Sequence, residues 1–105
     1  EEIMAEELFD KSGRPKSGYG ETVYVNSDTA TEDGARRFET SSKLLRDVVI
    51  TVKTNNQLFG DADGQTFPVD ADDSMGFTLV DISTLYFKNA VAGQNGTVHI
   101  IATED

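Results

Sequence analysis

Past residue 20 the chain never repeats its apolar residues at helical spacing. It runs instead as short β-patterned stretches, punctuated by turn chemistry roughly every ten residues. Glu21-Thr22-Val23-Tyr24-Val25 is β-branched and aromatic and ends at the turn cluster Asn26-Ser27-Asp28. Thr29 to Gly34 is a polar loop, and Arg36 to Ser41 reads as a short edge strand around Phe38. The strongest segment is Leu44 to Lys53, where Val48, Ile50 and Val52 share one face and Val49, Thr51 and Lys53 the other. Leu58-Phe59-Gly60 follows a turn at Thr54 to Gln57, Asp61-Ala62-Asp63-Gly64 turns again, and Pro68 marks Thr66 to Val69 as an edge or a strand end. After the turn Asp70 to Asp73, Ser74 to Val80 alternates with Met75, Phe77 and Leu79 on one side. Asp81-Ile82-Ser83 is a brief turn with room for one 3₁₀ turn, and Thr84 to Lys88 is a strand. Asn95-Gly96 has the signature of a hairpin turn. It precedes a closing strand, Thr97 to Thr103, in which Val98 and Ile100 face away from His99 and Ile101. Seven or eight such strands without helical crossovers predict an all-β fold, a small antiparallel β-sandwich or barrel. The expected core is Val48, Ile50, Val52, Phe77, Leu79, Leu85, Phe87, Val98 and Ile100, with Tyr86 and Ile101 competing for places in it.

Residues 1–20 differ from this pattern and are expected to be an extended N-terminal arm on a β-sandwich domain of residues 21–105. Glu1 to Lys11 has helical spacing, with Met4 and Leu8 four apart and Ala5 and Phe9 beside them. An isolated helix of that length is marginal in water. Ser12 to Gly18 is rich in breakers. Ile3, Met4, Leu8 and Phe9 therefore need something to pack against, either the domain itself or another subunit. They are the expected partner-binding residues. The acidic start lacks the basic stretch of a signal peptide, and position 1 is not methionine, so a processed chain stays open.

The chain of 105 residues carries 9 basic and 19 acidic side chains, a net charge of −10. Only Lys88 is basic after residue 53. Such a surface repels phosphate backbones and anionic membranes, so neither nucleic acid nor membrane is an expected partner. The longest apolar stretches, Val48 to Ile50 and Gly76 to Val80, fall far short of the roughly 20 residues of a membrane helix.

Catalytic chemistry finds little footing. There is no cysteine and one histidine, His99, which lies in the last predicted strand out of phase with Val98 and Ile100. No Gly-x-Ser-x-Gly elbow, Ser-x-x-Lys pair or phosphate-binding loop occurs. Paired carboxylates of a glycosidase need aromatic platforms, and the chain has no tryptophan and three tyrosines. Asp61, Asp63, Asp70, Asp72 and Asp73 offer hard oxygen ligands for calcium, yet Asp61-Ala62-Asp63-Gly64 is too short for a calcium loop, and aspartate is an ordinary turn residue. Asn95-Gly96-Thr97 matches a glycosylation acceptor and, more simply, a tight turn. The expectation is a protein that is not an enzyme and needs no metal or other cofactor.

The run from Ser41 to Thr103 resembles a small sandwich domain of tailed-bacteriophage virion proteins. The likeness is carried by Ser41-Ser42-Lys43-Leu44-Leu45-Arg46-Asp47-Val48-Val49-Ile50 and Leu58-Phe59-Gly60-Asp61. It continues through Asp73-Ser74-Met75-Gly76-Phe77-Thr78-Leu79 and Asp81-Ile82-Ser83-Thr84-Leu85-Tyr86-Phe87, and closes with the strand after Asn95-Gly96. It is a pattern of spacing and residue type, covers about three-fifths of the chain and transfers no individual binding residue. The resemblance implies a structural virion protein, most simply one that decorates or cements the capsid. Its partners would be the major capsid protein lattice and copies of itself, a trimer being the first guess, with the arm reaching across. A tail, collar or fibre-base position fits the same pattern. The alternative is a host-surface glycan-binding module of a phage tail or fibre.

Overall fold

The computed structural model describes residues 21–105. They form seven strands, β1 (Val23–Thr29), β2 (Leu44–Thr54), β3 (Gln57–Asp61), β4 (Gly64–Val69), β5 (Ser74–Asp81), β6 (Tyr86–Asn89) and β7 (Thr97–Glu104). A single 3₁₀ turn, Ile82–Thr84, lies between β5 and β6. The strands pair antiparallel in two sheets, one of order β1-β7-β2-β5 and one of order β4-β3-β6. No edge of one sheet pairs with an edge of the other among the described residues, so the expected all-β fold is an open sandwich and not a closed barrel. The expected N-terminal arm, 1–20, lies outside the described residues.

One core joins the two sheets. Leu45, Val48, Ile50, Val52, Val98 and Ile100 come from the four-stranded sheet, and Phe59, Val69 and Phe87 from the three-stranded one. Ile82 and Leu85, on the connection between them, close one side. Alternation explains most of this: in β7, Val98, Ile100 and Ala102 are buried while His99 and Ile101 are exposed.

Strict alternation fails within β2, and the failure shapes the surface. In β2 the buried residues are Leu45 and then Val48, three apart. The pairing with β7 slips by one residue between Arg46 and Val49, and Asp47 takes φ 51°, a left-handed conformation. This is a β-bulge: one extra residue reverses the phase of everything beyond it. β5 follows its partner, because Phe77 and Val80, also three apart, both pack on the core. Leu79 is consequently turned outward and is 55% exposed. The expectation that Met75, Phe77 and Leu79 share the core side is corrected for Leu79, and Phe77 is only half-buried.

Three local expectations are also corrected. Asn26-Ser27-Asp28 does not end the first strand, because β7 pairs residue by residue with β1 from Val23 to Thr29. Backbone pairing with a central strand outweighs the turn preference of those side chains. Arg36 to Ser41 is not a strand; it contributes one bridge, Arg36 to Phe87, in which each N–H donates to the other's carbonyl at 2.8 Å. Asn95-Gly96 does not close a hairpin, since β6 and β7 belong to different sheets. Gly96 is instead buried where a side chain would meet the carbonyl oxygen of Thr54 at 2.3 Å, so it is glycine for close packing.

Candidate interaction surfaces

The outward-turned residues of the four-stranded sheet line up through the strand register. Val25, Ile101, Val49 and Gly76 form one row across β1, β7, β2 and β5. Val23, Thr103, Arg46 and Leu79 form the next. With Leu44 on the same side of β2, six exposed large apolar residues occupy one face: Val23, Val25, Leu44, Val49, Leu79 and Ile101. Ile101, at the centre of its row, is 53% exposed. Such a cluster makes this face a candidate interaction surface. The sequence signal for it is the apolar doublets Val48-Val49 and Ile100-Ile101, which place apolar residues on both faces of their strands.

A second apolar feature is a groove of about 470 Å³ on the open side of the sandwich between β4 and β5. Phe59 and Leu85 form its floor, and Phe67, Met75 and Phe77 its walls. Phe67 stands at the rim, 60% exposed. The adjoining hollow, about 360 Å³, shares Phe67 and Met75 with the groove and extends it to Asp70, Asp73 and Ser74.

Of the polar candidates, Asp61 and Asn95 make structural hydrogen bonds. Asp61 Oδ1 accepts from the N–H groups of Asp63 (2.9 Å) and Gly64 (3.1 Å), the bonding of an Asx turn. Among the described residues no three potential ligands converge as a metal site. His99 is exposed on the outer face with Ser27 and Thr51 opposite it on the neighbouring strands. Asn95 takes part in a loop network, its Oδ1 accepting from Asn89 Nδ2 at 2.9 Å and its carbonyl from Asn55 Nδ2 at 2.8 Å. The expected partner-binding residues Ile3, Met4, Leu8 and Phe9 lie outside the described residues.

Two titratable groups stand out, both for local reasons. Asp81 caps the 3₁₀ turn and is held well below the usual carboxylate range, first by the Ser42 hydroxyl (2.6 Å), then by the Lys43 N–H (3.0 Å) and Ser83. Tyr24 is pushed up to about 12, first by burial and then by its hydrogen bond to Glu39 (2.6 Å). Neither group lines the groove.

Compared with known families, curated proteins and solved structures, the chain matches no family model, no curated protein and no solved structure.

Proposed function

We propose that this chain is a non-enzymatic structural protein of a tailed-phage virion that decorates or cements the capsid, binding the major capsid protein lattice and neighbouring copies of itself. The observation that carries the assembly role is the outer face of the four-stranded sheet, where six exposed apolar side chains stand together on a two-sheet body. An apolar cluster on a sheet face suits docking against another protein surface, because burying it releases water without demanding a preformed cleft. The net charge of −10 fits the same role, keeping unassembled copies apart in solution. The capsid as partner is supported by the resemblance of Ser41 to Thr103 to virion sandwich domains. Ile3, Met4, Leu8 and Phe9 supply a second set of apolar contacts in this reading.

The test is to mix the full chain with undecorated tailed-phage capsid shells and measure occupancy. Saturating attachment is expected, and the double variant Val49→Ser, Ile101→Ser should lose most of it. Failure of the unaltered chain to attach to any shell removes the capsid reading. Undiminished attachment of the double variant moves the contact away from this face.

A further inference from the structure

Asn95-Gly96 is the single Asn-Gly pair of the sequence. Asparagine is a thermolabile residue, and glycine after it removes the side chain that would hinder attack of the next backbone nitrogen on the carboxamide. In this fold the reacting groups are all engaged. The peptide group joining the two residues is fixed at both ends: its carbonyl accepts from Asn55 Nδ2 at 2.8 Å, and its N–H donates to Asn89 Oδ1 at 3.3 Å. The Asn95 side chain is held too, its Oδ1 accepting from Asn89 Nδ2 at 2.9 Å. Asn89, itself buried, thus grips both the nitrogen that would attack and the carboxamide that would be attacked. Gly96 is buried, and its own carbonyl accepts from the Ala30 N–H at 2.9 Å, whereas Asn95 is exposed.

We propose that Asn95 is a deamidation site masked by the fold, and that opening of the loop before β7 unmasks it and makes the opening irreversible. Water is the only co-reactant. In the opened loop the Gly96 nitrogen gives its proton to hydroxide and bonds to Asn95 Cγ. The Cγ–Nδ2 bond breaks, and Nδ2 takes a proton from water and leaves as ammonia. Addition of water to the resulting succinimide breaks one of its two ring C–N bonds, giving aspartate or isoaspartate at position 95. In the closed loop the Gly96 N–H points at Asn89 Oδ1 in a buried site, away from hydroxide, so reaction has to wait for local opening. Neither product fits back. Aspartate sets a second carboxylate against Asn89 Nδ2, which already donates to Asp33 Oδ1 at 3.0 Å. Isoaspartate adds a carbon to the main chain just before Gly96, where a Cβ would already meet the Thr54 carbonyl oxygen and Gln57 Nε2 at 2.3 Å. A copy that stays open long enough to react is thereby prevented from closing, which ties its lifetime to the rate of opening. The proposal does not depend on the capsid reading.

The test incubates the full chain in mildly alkaline buffer, with and without unfolding concentrations of guanidinium chloride. The segment around Asn95 is followed by mass spectrometry with isoaspartate detection. In guanidinium Asn95 should react as fast as in a short synthetic peptide of the same sequence, and in the native chain about tenfold or more slower. Asn55→Gly suits the left-handed φ of 54° at that position while removing the bond to the Asn95 carbonyl. It should speed the native reaction about threefold or more, with the circular dichroism spectrum unchanged. Asn89→Ala, which frees both reacting groups, should speed it further. A native rate equal to the unfolded rate, or no reaction at Asn95 in guanidinium, overturns the proposal. So does a folded Asn55→Gly variant that reacts no faster than the wild-type chain. Reacted chain returned from guanidinium should melt below unreacted chain taken through the same steps, and equal melting temperatures would overturn the irreversibility.

Discussion

Asp47 shows how one residue decides the role of many others. Its φ of 51° lets β2 carry an extra residue, so Leu45 and Val48 both reach the core. Aspartate tolerates this left-handed conformation better than a β-branched residue does. Asp47→Gly is therefore expected to be neutral or slightly stabilising in urea unfolding, whereas Asp47→Val should cost about 1–2 kcal/mol. Equal stability of the two variants would show that the bulge does not depend on this position. Asp81 acts through charge. Its carboxylate accepts from Ser42, Lys43 and Ser83, tying the start of β2 to the 3₁₀ turn. Because its folded-state pKa is depressed, its stabilisation is present above the unfolded value, about 3.9, and is lost as pH falls below that. The melting-temperature gap between the wild-type chain and Asp81→Asn should accordingly be open at pH 7 and narrow steadily below about pH 4. A gap that stays constant down to pH 2 would rule this out. The aspartate was visible in the sequence as a turn residue. Its four ligating donors were not, because they come from both Ser83 nearby and Ser42 and Lys43 about forty positions away.

Elements that look independent in the chain are joined by buried polar groups. Asn89, at the end of β6, is buried beside fully buried Gln57, the first residue of β3. Gln57 Nε2 donates to Asn89 Oδ1 at 3.0 Å, and Asn89 Nδ2 donates to Asp33 Oδ1 at 3.0 Å. Asp33 also accepts from the Gly93 N–H at 2.9 Å. These two bonds, the Asn89 one first, hold its carboxyl below the usual range. The loop after β1 and the loop before β7 are thereby pinned to the three-stranded sheet. Asn89→Ala should cost about 2–3 kcal/mol in unfolding free energy, since it leaves the buried Gln57 amide short of a partner. In hydrogen exchange, amides around Gly93 and Gly96 should lose protection more than those of central β2. A cost under about 0.5 kcal/mol would mean water or another group replaces the side chain. That these segments are loops is legible in the sequence, but Asn95-Gly96 carries a hairpin signal and closes no hairpin. The dipeptide signal is local, whereas the sheet to which each flanking strand belongs is settled by burial of Phe87 and Val98 at distant sites in the core.

At the scale of the molecule, the bulge in β2 and its echo in β5 sort apolar residues between a shared core and an outer face. Val49→Ser with Ile101→Ser alters only exposed side chains, so its melting temperature should stay within about 2 °C of wild type, a shift consistent with surface substitutions. A large drop would place these residues in structural packing instead of on an interaction face. The all-β class, the strand positions from β2 onward, the edge position of the Pro68 strand and about half of the core were legible in the sequence, while Leu45, Phe59 and Ile82 were missed. Period-two alternation and turn residues are local properties that any sheet pairing must respect. The acidic balance and the lack of a thiol or second histidine were equally plain. Tertiary structure alone decided which strands are neighbours, that the sandwich stays open between β4 and β5, and that Leu79 faces out while Val80 faces in. Each of these depends on register between strands distant in the chain, and one inserted residue at Asp47 is enough to reverse the phase that alternation by itself would assign.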